Sequence, residues 1–228
     1  MQFLVFSPSM GTISPVSGCN RFTLPPSFPE SAWLEQSLSP MFLPPETHRL
    51  KDGGSVVLRS GVEDDAPRLL EAIESYILQN DGILWEPGEH QKTEADIRAW
   101  IVGMLANECE ILLLAQQDGQ ILGNIDFHIG DRRRIRHTGE FGMAVAPAHR
   151  GRGIGGLLLG RMIEWASSVS QIEWIELRVI STNVPAIGLY RKFGFNVEGR
   201  RPRHIKYADG SYVDDVLMGL DLRDASAR

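Results

Sequence analysis

Six consecutive residues in the second half of the chain combine glycines with arginines where a helical pattern begins. The run is Arg150-Gly151-Arg152-Gly153-Ile154-Gly155. Glycines at a helix start leave backbone N–H groups uncovered, and these groups together with the positive end of the helix dipole bind phosphate oxygens. Arg150 and Arg152 add positive charge beside them. The run therefore predicts a binding site for a pyrophosphate.

The elements on either side of this loop are a strand and a helix. The residues before it, 141–145, are mostly apolar and are followed by Pro147. After it, apolar residues recur with helical spacing at Ile154, Leu157, Leu158, Met162 and Trp165. We therefore expect the loop to connect the end of a strand to the start of a helix.

Three other interpretations of the loop are weaker. A nucleotide-binding P-loop ends in Gly-Lys-Ser/Thr, whereas this run continues as Gly155-Gly156-Leu157. Gly151, Gly153 and Gly156 match a dinucleotide-binding fingerprint, but five residues separate them from the strand and about ninety residues of patterned chain precede them. A glycine-rich turn without a ligand is the remaining alternative.

A second block of residues follows about thirty residues later. It contains Asn183, Pro185-Ala186, Leu189-Tyr190 and Phe193-Gly194-Phe195. Together, the loop with its strand (residues 140–155) and this block resemble the GCN5-related N-acetyltransferases. The loop matches that family's Arg/Gln-x-x-Gly-x-Gly/Ala motif at Arg150, Gly153 and Gly155, and the resemblance covers residues 53–222.

The resemblance implies an α+β fold of three layers (αβα) around a mixed, mostly antiparallel central sheet. The residue patterns agree with it, since they predict the order β-α-α-β-β-β-α-β-α-β-β. The predicted strands are 55–59, 110–115, 121–128, 140–145, 174–179, 197–201 and 212–222, and the predicted helices are 64–79, 93–107, 154 onward and 183–192.

The resemblance also implies a binding site for acetyl-CoA as co-substrate. The pyrophosphate would bind the backbone N–H groups of residues 150–156, and the pantetheine arm would pair with the strand edge near Met143 and Val145 and contact Asn183. The implied set is Met143, Val145, Arg150, Gly151, Arg152, Gly153, Ile154, Gly155, Gly156, Asn183 and Tyr190.

Acyl transfer to an amine requires a base, because an amine with a pKa of about 10.4 is almost wholly protonated near neutral pH. Glu140 is the first candidate, since several members of the family carry a catalytic glutamate on this strand. Asp126, which interrupts an apolar strand, is the second, and Asp214 and Asp215 are the third. We expect Tyr190 to protonate the leaving thiolate, the alternative being a core aromatic residue.

Three further groups of residues carry weaker expectations. Trp85, Glu86 and Glu89 lie in the loop between the first two helices, which in this family often shapes the acceptor pocket, and an aromatic ring with carboxylates suits an ammonium group. Glu86, Asp126 and Asp214 are the acidic candidates for holding this cation. His128 and His149 are expected to be surface or loop residues.

The sequence therefore predicts an N-acetyltransferase that moves an acetyl group from acetyl-CoA to a primary amine of a small molecule or peptide by direct attack. The alternative is a non-catalytic acyl-CoA-binding regulatory module. No metal is expected, because no cysteine or histidine spacing indicates a metal site.

Composition limits the partners. A net charge of −6 in 228 residues argues against nucleic-acid binding, and we interpret Arg132–Arg134 with Arg136 as a solvated hairpin tip. No apolar stretch is long enough to span a membrane. Cys19 and Cys109 do not indicate a disulfide framework, so we expect a cytoplasmic protein, with Cys109 buried or half-buried. A homodimer remains open.

The N-terminal part of the chain differs from the rest. Residues 1–52 are rich in proline and serine and are expected to form an extension, before an acetyltransferase domain at 53–223 and a tail at 224–228. A chain that starts at Lys51 should therefore fold, and translation from Met41 is an alternative start.

Overall fold

The computed structural model describes the backbone of Gln2–Phe3 and residues 42–78 and 82–225. The strands are β1 (Gln2–Phe3), β2 (Glu46–Arg49), β3 (Ser55–Ser60), β4 (Ile111–Gln117), β5 (Gln120–Ile129), β6 (Thr138–Val145), β7 (Trp174–Ile180), β8 (Asn196–Lys206) and β9 (Tyr212–Asp221). The helices are α1 (Ala66–Leu78), α2 (Glu94–Leu105), α3 (Ile154–Ser168), α4 (Val184–Lys192) and α5 (Leu222–Ala225).

The described strands form one mixed sheet in the order β2-β3-β4-β5-β6-β7-β9-β8, and β1 pairs separately with β6. All neighbours are antiparallel except β6 and β7. That parallel pair is short: residues Thr138–Glu140 pair with Trp174–Glu176, and no pair follows. The sheet therefore opens between β6 and β7 beyond Glu140.

Helices cover both faces of the sheet, which confirms the expected three layers. On one face, α1 and α2 pack Leu69, Ile73 and Ile101 against β4 and β5. On the other face, α3 packs Leu158 and Met162 into the larger core. Along these helices, buried and exposed residues alternate with a helical period. Burial of the apolar faces therefore holds the helices against the sheet.

Local signals placed several elements correctly. Thr93 caps α2, because its backbone N–H donates to Asp96 (2.8 Å) while its Oγ1 accepts from the Asp96 N–H (3.2 Å). Asp118 and Gly119 both have positive φ and close the β4–β5 hairpin. The first helix begins two residues later than expected. Glu63–Asp65 form a 3₁₀ turn, and the buried Asp65 carboxylate binds Arg59 (2.6 and 2.8 Å) instead of leading an α-helix.

The expected boundary between an extension and the domain needs correction. Strand β2 lies inside residues 1–52 and pairs along its whole length with β3. Phe42 and Leu50 are buried, at 7% and 5% exposed. This strand was missed because four residues between prolines and a turn have no visible period of their own, and its stability comes from long-range pairing. Residues 1 and 4–41, including Cys19 and Met41, lie outside the described residues.

Three smaller expectations can be compared with the structure. Cys109 is buried, as predicted. Residues 131–135 are exposed, which agrees with a solvated hairpin tip. Helix α5 continues to Ala225, two residues into the predicted tail. No helix in the described part of the chain is long and apolar enough to cross a membrane.

Candidate functional site

The glycine-rich loop adopts a conformation that leaves its backbone open to a ligand. Gly151 and Gly153 have φ of 78° and 100°, in the left-handed region that favours glycine. Gly153 is the N-cap of α3 and offers no side chain to the N–H groups of the first helical turn. A Cβ atom on Gly151 would meet no atom within 4 Å. The loop therefore presents open backbone donors at a helix N-terminus, as a pyrophosphate site requires.

The two arginines of the loop have partners within the protein. Arg150 Nε donates to the Val145 carbonyl (3.3 Å) at the end of β6. The Arg152 guanidinium contacts Asp52, the Gln117 side chain (3.1 Å) and His149 Nδ1 (2.9 Å). Its charge is therefore shared with Asp52, and its role as a phosphate ligand stays a prediction.

The turn between β2 and β3 supports this loop from the side. The Lys51 N–H donates to the Arg152 carbonyl (3.1 Å), and the Lys51 side chain lies beside Gly153. The same turn carries Asp52, which pairs with Arg152. Residues that the sequence assigned to an extension thus position the candidate phosphate site.

Beyond Glu140 the edge of β6 is no longer paired with β7. Here β1 pairs with it in antiparallel orientation, with Gln2 opposite Ala144 and Phe3 opposite Met143. The site residues Met143 and Val145 are buried on this strand. The resemblance places the pantetheine arm on the same stretch, so β1 and an extended ligand cannot both pair there.

Polar side chains line the α1/α2 face of the sheet beside this edge. Asn124, Asp126 and His128 alternate along β5 and lie opposite Ala144, Gly142 and Glu140 of β6. Asn124 is 0% exposed and Asp126 is 1% exposed. Among the described residues, the Asn124 amide, Asp126 Oδ1 and Glu140 Oε1 are buried without a hydrogen-bond partner. Buried polar atoms of this kind are costly to leave unpaired, so each of them requires a partner, either a ligand or a water molecule.

His128 is not the surface residue that was expected. Its Nε2 lies 3.2 Å from Asp126 Oδ2 and its Nδ1 lies 3.5 Å from Glu110 Oε2. Burial alone would lower the pKa of His128, but the hydrogen bonds with Asp126 and Glu110 outweigh it and raise this pKa to about 10. Burial also raises the pKa of Asp126, against the lowering effect of its hydrogen bond with His128, and the contacts with Asp126 and Glu110 favour the protonated imidazole. His149 lies in a 3₁₀ turn beside the loop, as expected.

Glu140 lies at the point where β6 and β7 separate. Burial and the negative charge of Glu176 raise the pKa of its carboxyl group. Glu176 is the cross-strand neighbour of Glu140 on β7, on the same face. A carboxylate with a raised pKa at the mouth of an opening is suited to accept a proton near neutral pH.

Tyr190 lies on the opposite face of the sheet. Its ring is 0% exposed and contacts Phe141 and Phe195 edge to face, with centroids 5.7 and 5.8 Å apart. Burial raises the pKa of its phenol, so the proton is retained at neutral pH. Phe141 follows Glu140 directly along β6. Because Tyr190 contacts Phe141, it packs beside the same opening on the opposite face of the sheet. Both expectations for Tyr190, a core aromatic residue and a proton donor, fit this position.

The other candidates have hydrogen-bond or ion-pair partners within the protein. Asn183 Oδ1 caps α4 by accepting from the Ala186 N–H (3.2 Å). Asp214 accepts from Arg200 (3.1 Å) and from the Arg203 N–H (2.9 Å). Asp215 is 2% exposed and pairs with Arg178 (2.7 Å). These contacts position all three side chains; contact of Asn183 with the cofactor and a role of Asp214 or Asp215 as the base stay predictions.

The loop before α2 contributes an aromatic ring and exposed carboxylates. Trp85 lies edge to face with His90, with centroids 5.8 Å apart. Glu86 and Glu89 are exposed, and Glu89 accepts from the Glu86 N–H (2.8 Å). Their role at an acceptor pocket stays a prediction. In residues 42–78 and 82–225, no group of three histidine, cysteine, aspartate or glutamate side chains could hold a metal ion.

Asn124 and Arg178 were not singled out from the sequence. Asn124 had a visible signal, because polar residues at 124, 126 and 128 alternate with apolar residues on a strand that helices cover. Arg178 had none, since its contact with Asp215 depends on the pairing of β7 with β9.

The fold and the loop define the class to which this protein belongs. Residues 70–195, a little over half of the chain, match the acetyltransferase (GNAT) family. The chain therefore belongs to this family, and the predicted fold class is confirmed.

Individual relatives agree with this assignment. The chain is 36% identical over 108 residues to the L-amino acid N-acetyltransferase AaaT of Escherichia coli, a match that covers 46% of this chain and 65% of that protein. It is 29% identical over 171 residues to an L-methionine sulfoximine/L-methionine sulfone acetyltransferase of Pseudomonas paraeruginosa, covering 74% and 95%. The yncA structure from Salmonella typhimurium, with its cofactor acetyl-CoA, shares the fold at a TM-score of 0.66 and 23% identity, covering 74% and 95%. The chain thus spans just under two thirds of the first relative.

Proposed function

We propose that the protein is an N-acetyltransferase that moves an acetyl group from acetyl-CoA to a primary amine of a small molecule or peptide by direct attack. The observation that carries this proposal is the alignment of three features along β6: the open glycine loop at its end, the edge at Met143–Ala144, and Glu140 where the sheet opens. The named relatives act on amino acids and their analogues, which supports a small amine as acceptor.

The residues present fit acetyl-CoA. The uncapped amides of residues 151–155 would bind the pyrophosphate, and the β6 edge would pair with the amides of the pantetheine arm after β1 has left it. Acetyl-CoA supplies an acyl group activated as a thioester. Binding both substrates at this opening would hold the amine and the thioester at close range.

The protein's own groups would carry the protons. Glu140, deprotonated, accepts a proton from the acceptor ammonium, and the neutral amine can then attack the acyl carbon. As the carbon–sulfur bond breaks, Tyr190 donates its phenolic proton to the sulfur, and the second proton that the nitrogen loses as the amide forms restores the phenol. Since Glu140 and Tyr190 lie on opposite faces of the sheet, the reacting atoms would lie between them in the β6–β7 opening.

The test is turnover by the purified full-length chain. Acetyl-CoA should raise its melting temperature, because this ligand binds the folded state. A panel of primary amines, with thiol release as the readout, should then identify at least one acceptor, and the tertiary analogue of that acceptor should not react. Binding without thiol release for any amine would favour the alternative of a non-catalytic acyl-CoA-binding module.

The remaining partner expectations stay predictions. A cytoplasmic location follows from the cysteine content alone, and exclusion of nucleic acid follows from the net charge of −6. A homodimer remains open.

A further inference from the structure

The polar groups of β5 and β6 form a buried cluster with a specific hydrogen-bonding character. Asn124 offers one donor group and one acceptor, and Asp126 Oδ1 and Glu140 Oε1 offer acceptors only. An ammonium group carries three donors and no acceptor, so it complements these oxygens. The Asn124 amide N–H groups then require an acceptor on the ligand close to the ammonium.

The register of the strands places small residues between this cluster and the edge of β6. Asp126 and Asn124 lie opposite Gly142 and Ala144, which place nothing larger than a methyl group beside them on this face. Glu140 follows on the same face of β6, opposite His128. The unpaired atoms of β5 therefore lie across two small residues from the edge of β6 and beside the candidate base.

The charges on this face disfavour an anionic ligand. Along β5, β6 and β7 the cations facing the α1/α2 side are His128 and Arg178. His128 is held between Asp126 and Glu110, and Arg178 binds the buried Asp215 through Nε (2.9 Å) and Nη2 (2.7 Å). The carboxylates of Glu140 and Glu176 remain in excess. A carboxylate next to the ammonium of a ligand would find each of these cations already paired.

We propose that Asn124 and Asp126 bind the acceptor, and that they select a primary ammonium with a neutral hydrogen-bond acceptor beside it over one with a carboxylate beside it. An α-amino amide, the chemistry of a peptide N-terminus, matches the hydrogen-bonding groups and charges of this cluster better than a free α-amino acid does. This inference rests on the proposed function and extends it to the substrate class. It also separates this protein from relatives that are named for free amino acids.

The experiment measures kcat/KM for L-methioninamide and for L-methionine and takes their ratio. The two amines differ in basicity, and this difference cancels when the ratio of a variant is divided by that of the wild type. Asp126→Asn removes a negative charge without changing shape and should lower the amide-to-acid ratio about tenfold, since repulsion of the carboxylate decreases. Asn124→Asp adds a charge and should raise the ratio about tenfold.

Asp118→Asn is the matched control, because this residue is exposed at the β4–β5 turn and the same charge change there should leave the ratio unaltered. Each variant is first checked for an unchanged acetyl-CoA melting shift. Opposite changes from two isosteric substitutions support contact with the acceptor. Structural polar groups satisfied by buried water would instead give the same ratio in every variant, which would overturn the proposal.

The two proposals fail in different ways. If the wild type prefers L-methionine over its amide, and if Asp126→Asn does not change the amide-to-acid ratio, only the inference on substrate class is overturned. Binding of acetyl-CoA without acetylation of amides, amino acids or polyamines would overturn the proposed function, and this inference with it.

Discussion

Leu50 tests whether the chain before residue 53 belongs to the folded domain. The sequence assigns it to an extension, whereas in the structure it is 5% exposed within the larger core and its backbone closes the turn to Gly53 and Gly54. We therefore expect Leu50→Ala to destabilise the protein. If the extension did not pack on the domain, truncation of one of its side chains would change stability by no more than about 0.5 kcal/mol.

The magnitude follows from burial. Removing a buried leucine side chain costs the lost transfer free energy plus a cavity term, about 2–5 kcal/mol in well-packed cores. Leu50 lies at the end of a short strand, where neighbours can relax into the space, so the lower half of this range applies, about 2–3 kcal/mol. For a chain of this size that corresponds to a decrease in Tm of about 4–12 °C.

The assay is urea unfolding followed by tryptophan fluorescence, with the midpoint and slope fitted for wild type and variant. Leu78→Ala is the control, because Leu78 is 71% exposed and its loss should leave the midpoint unaltered. A chain starting at Lys51 should be less stable still, since it lacks β2 as well as Phe42. Equal stability of wild type and Leu50→Ala would refute the packing of this segment and restore the boundary at residue 52.

The further predictions concern the site. Gly153→Val should abolish the melting shift with acetyl-CoA, because a branched residue is strained at φ 100° and would crowd the phosphate site, whereas Gly210→Val, equally left-handed but at the β8–β9 turn, should retain the shift. Tyr190→Phe should lower kcat by about ten- to a thousandfold while acetyl-CoA binding stays unchanged, and wild-type turnover would assign the proton to another group. Glu140→Gln should lower the rate most at neutral pH and recover partly at high pH, where more of the amine is neutral. Since the base acts deprotonated and the charge of Glu176 raises the pKa of Glu140, Glu176→Gln should move the acidic limb of the pH–rate profile to lower pH; an unmoved limb would remove Glu140 as the base. A chain starting at Phe42 lacks β1 and should have a lower KM for acetyl-CoA, and an unchanged KM would show that β1 does not compete with the ligand.

Local patterns were sufficient for most elements and for the phosphate loop. The capping box at Thr93, the turn at Asp118–Gly119 and the glycines before α3 each act within a few residues of chain, so their structural effect is readable from sequence. The order of α-helices and strands was correct from Ser55 to Asp221 for the same reason. The prediction of three layers came from the family resemblance, because local periodicity alone does not determine how elements are layered.

Features that depend on pairing between distant residues were not predictable in this way. Strand β2 acquires its partners only when β3 lies beside it, and the ion pair of Arg161 with Glu46 (2.5 Å) joins positions 115 residues apart. The cation at His128 likewise requires Glu110 of the neighbouring chain segment. In each case the sequence shows which residue is present, but it does not show which distant residue contacts it in the fold.

The opening between β6 and β7 would allow groups on both faces of the sheet to contact the same ligand. Side chains alternate along β6, so Glu140 faces α1 and α2, while Phe141 faces the other side and contacts Tyr190 there. In a continuous sheet these two groups would be separated by backbone and could not act on one molecule. Because β6 and β7 cease to pair at Glu140, a ligand lying along the β6 edge can be reached from both faces. Removal of a proton from the amine on one side and donation of a proton to the sulfur on the other would then be two consequences of a single register, the parallel pairing of Thr138–Glu140 with Trp174–Glu176.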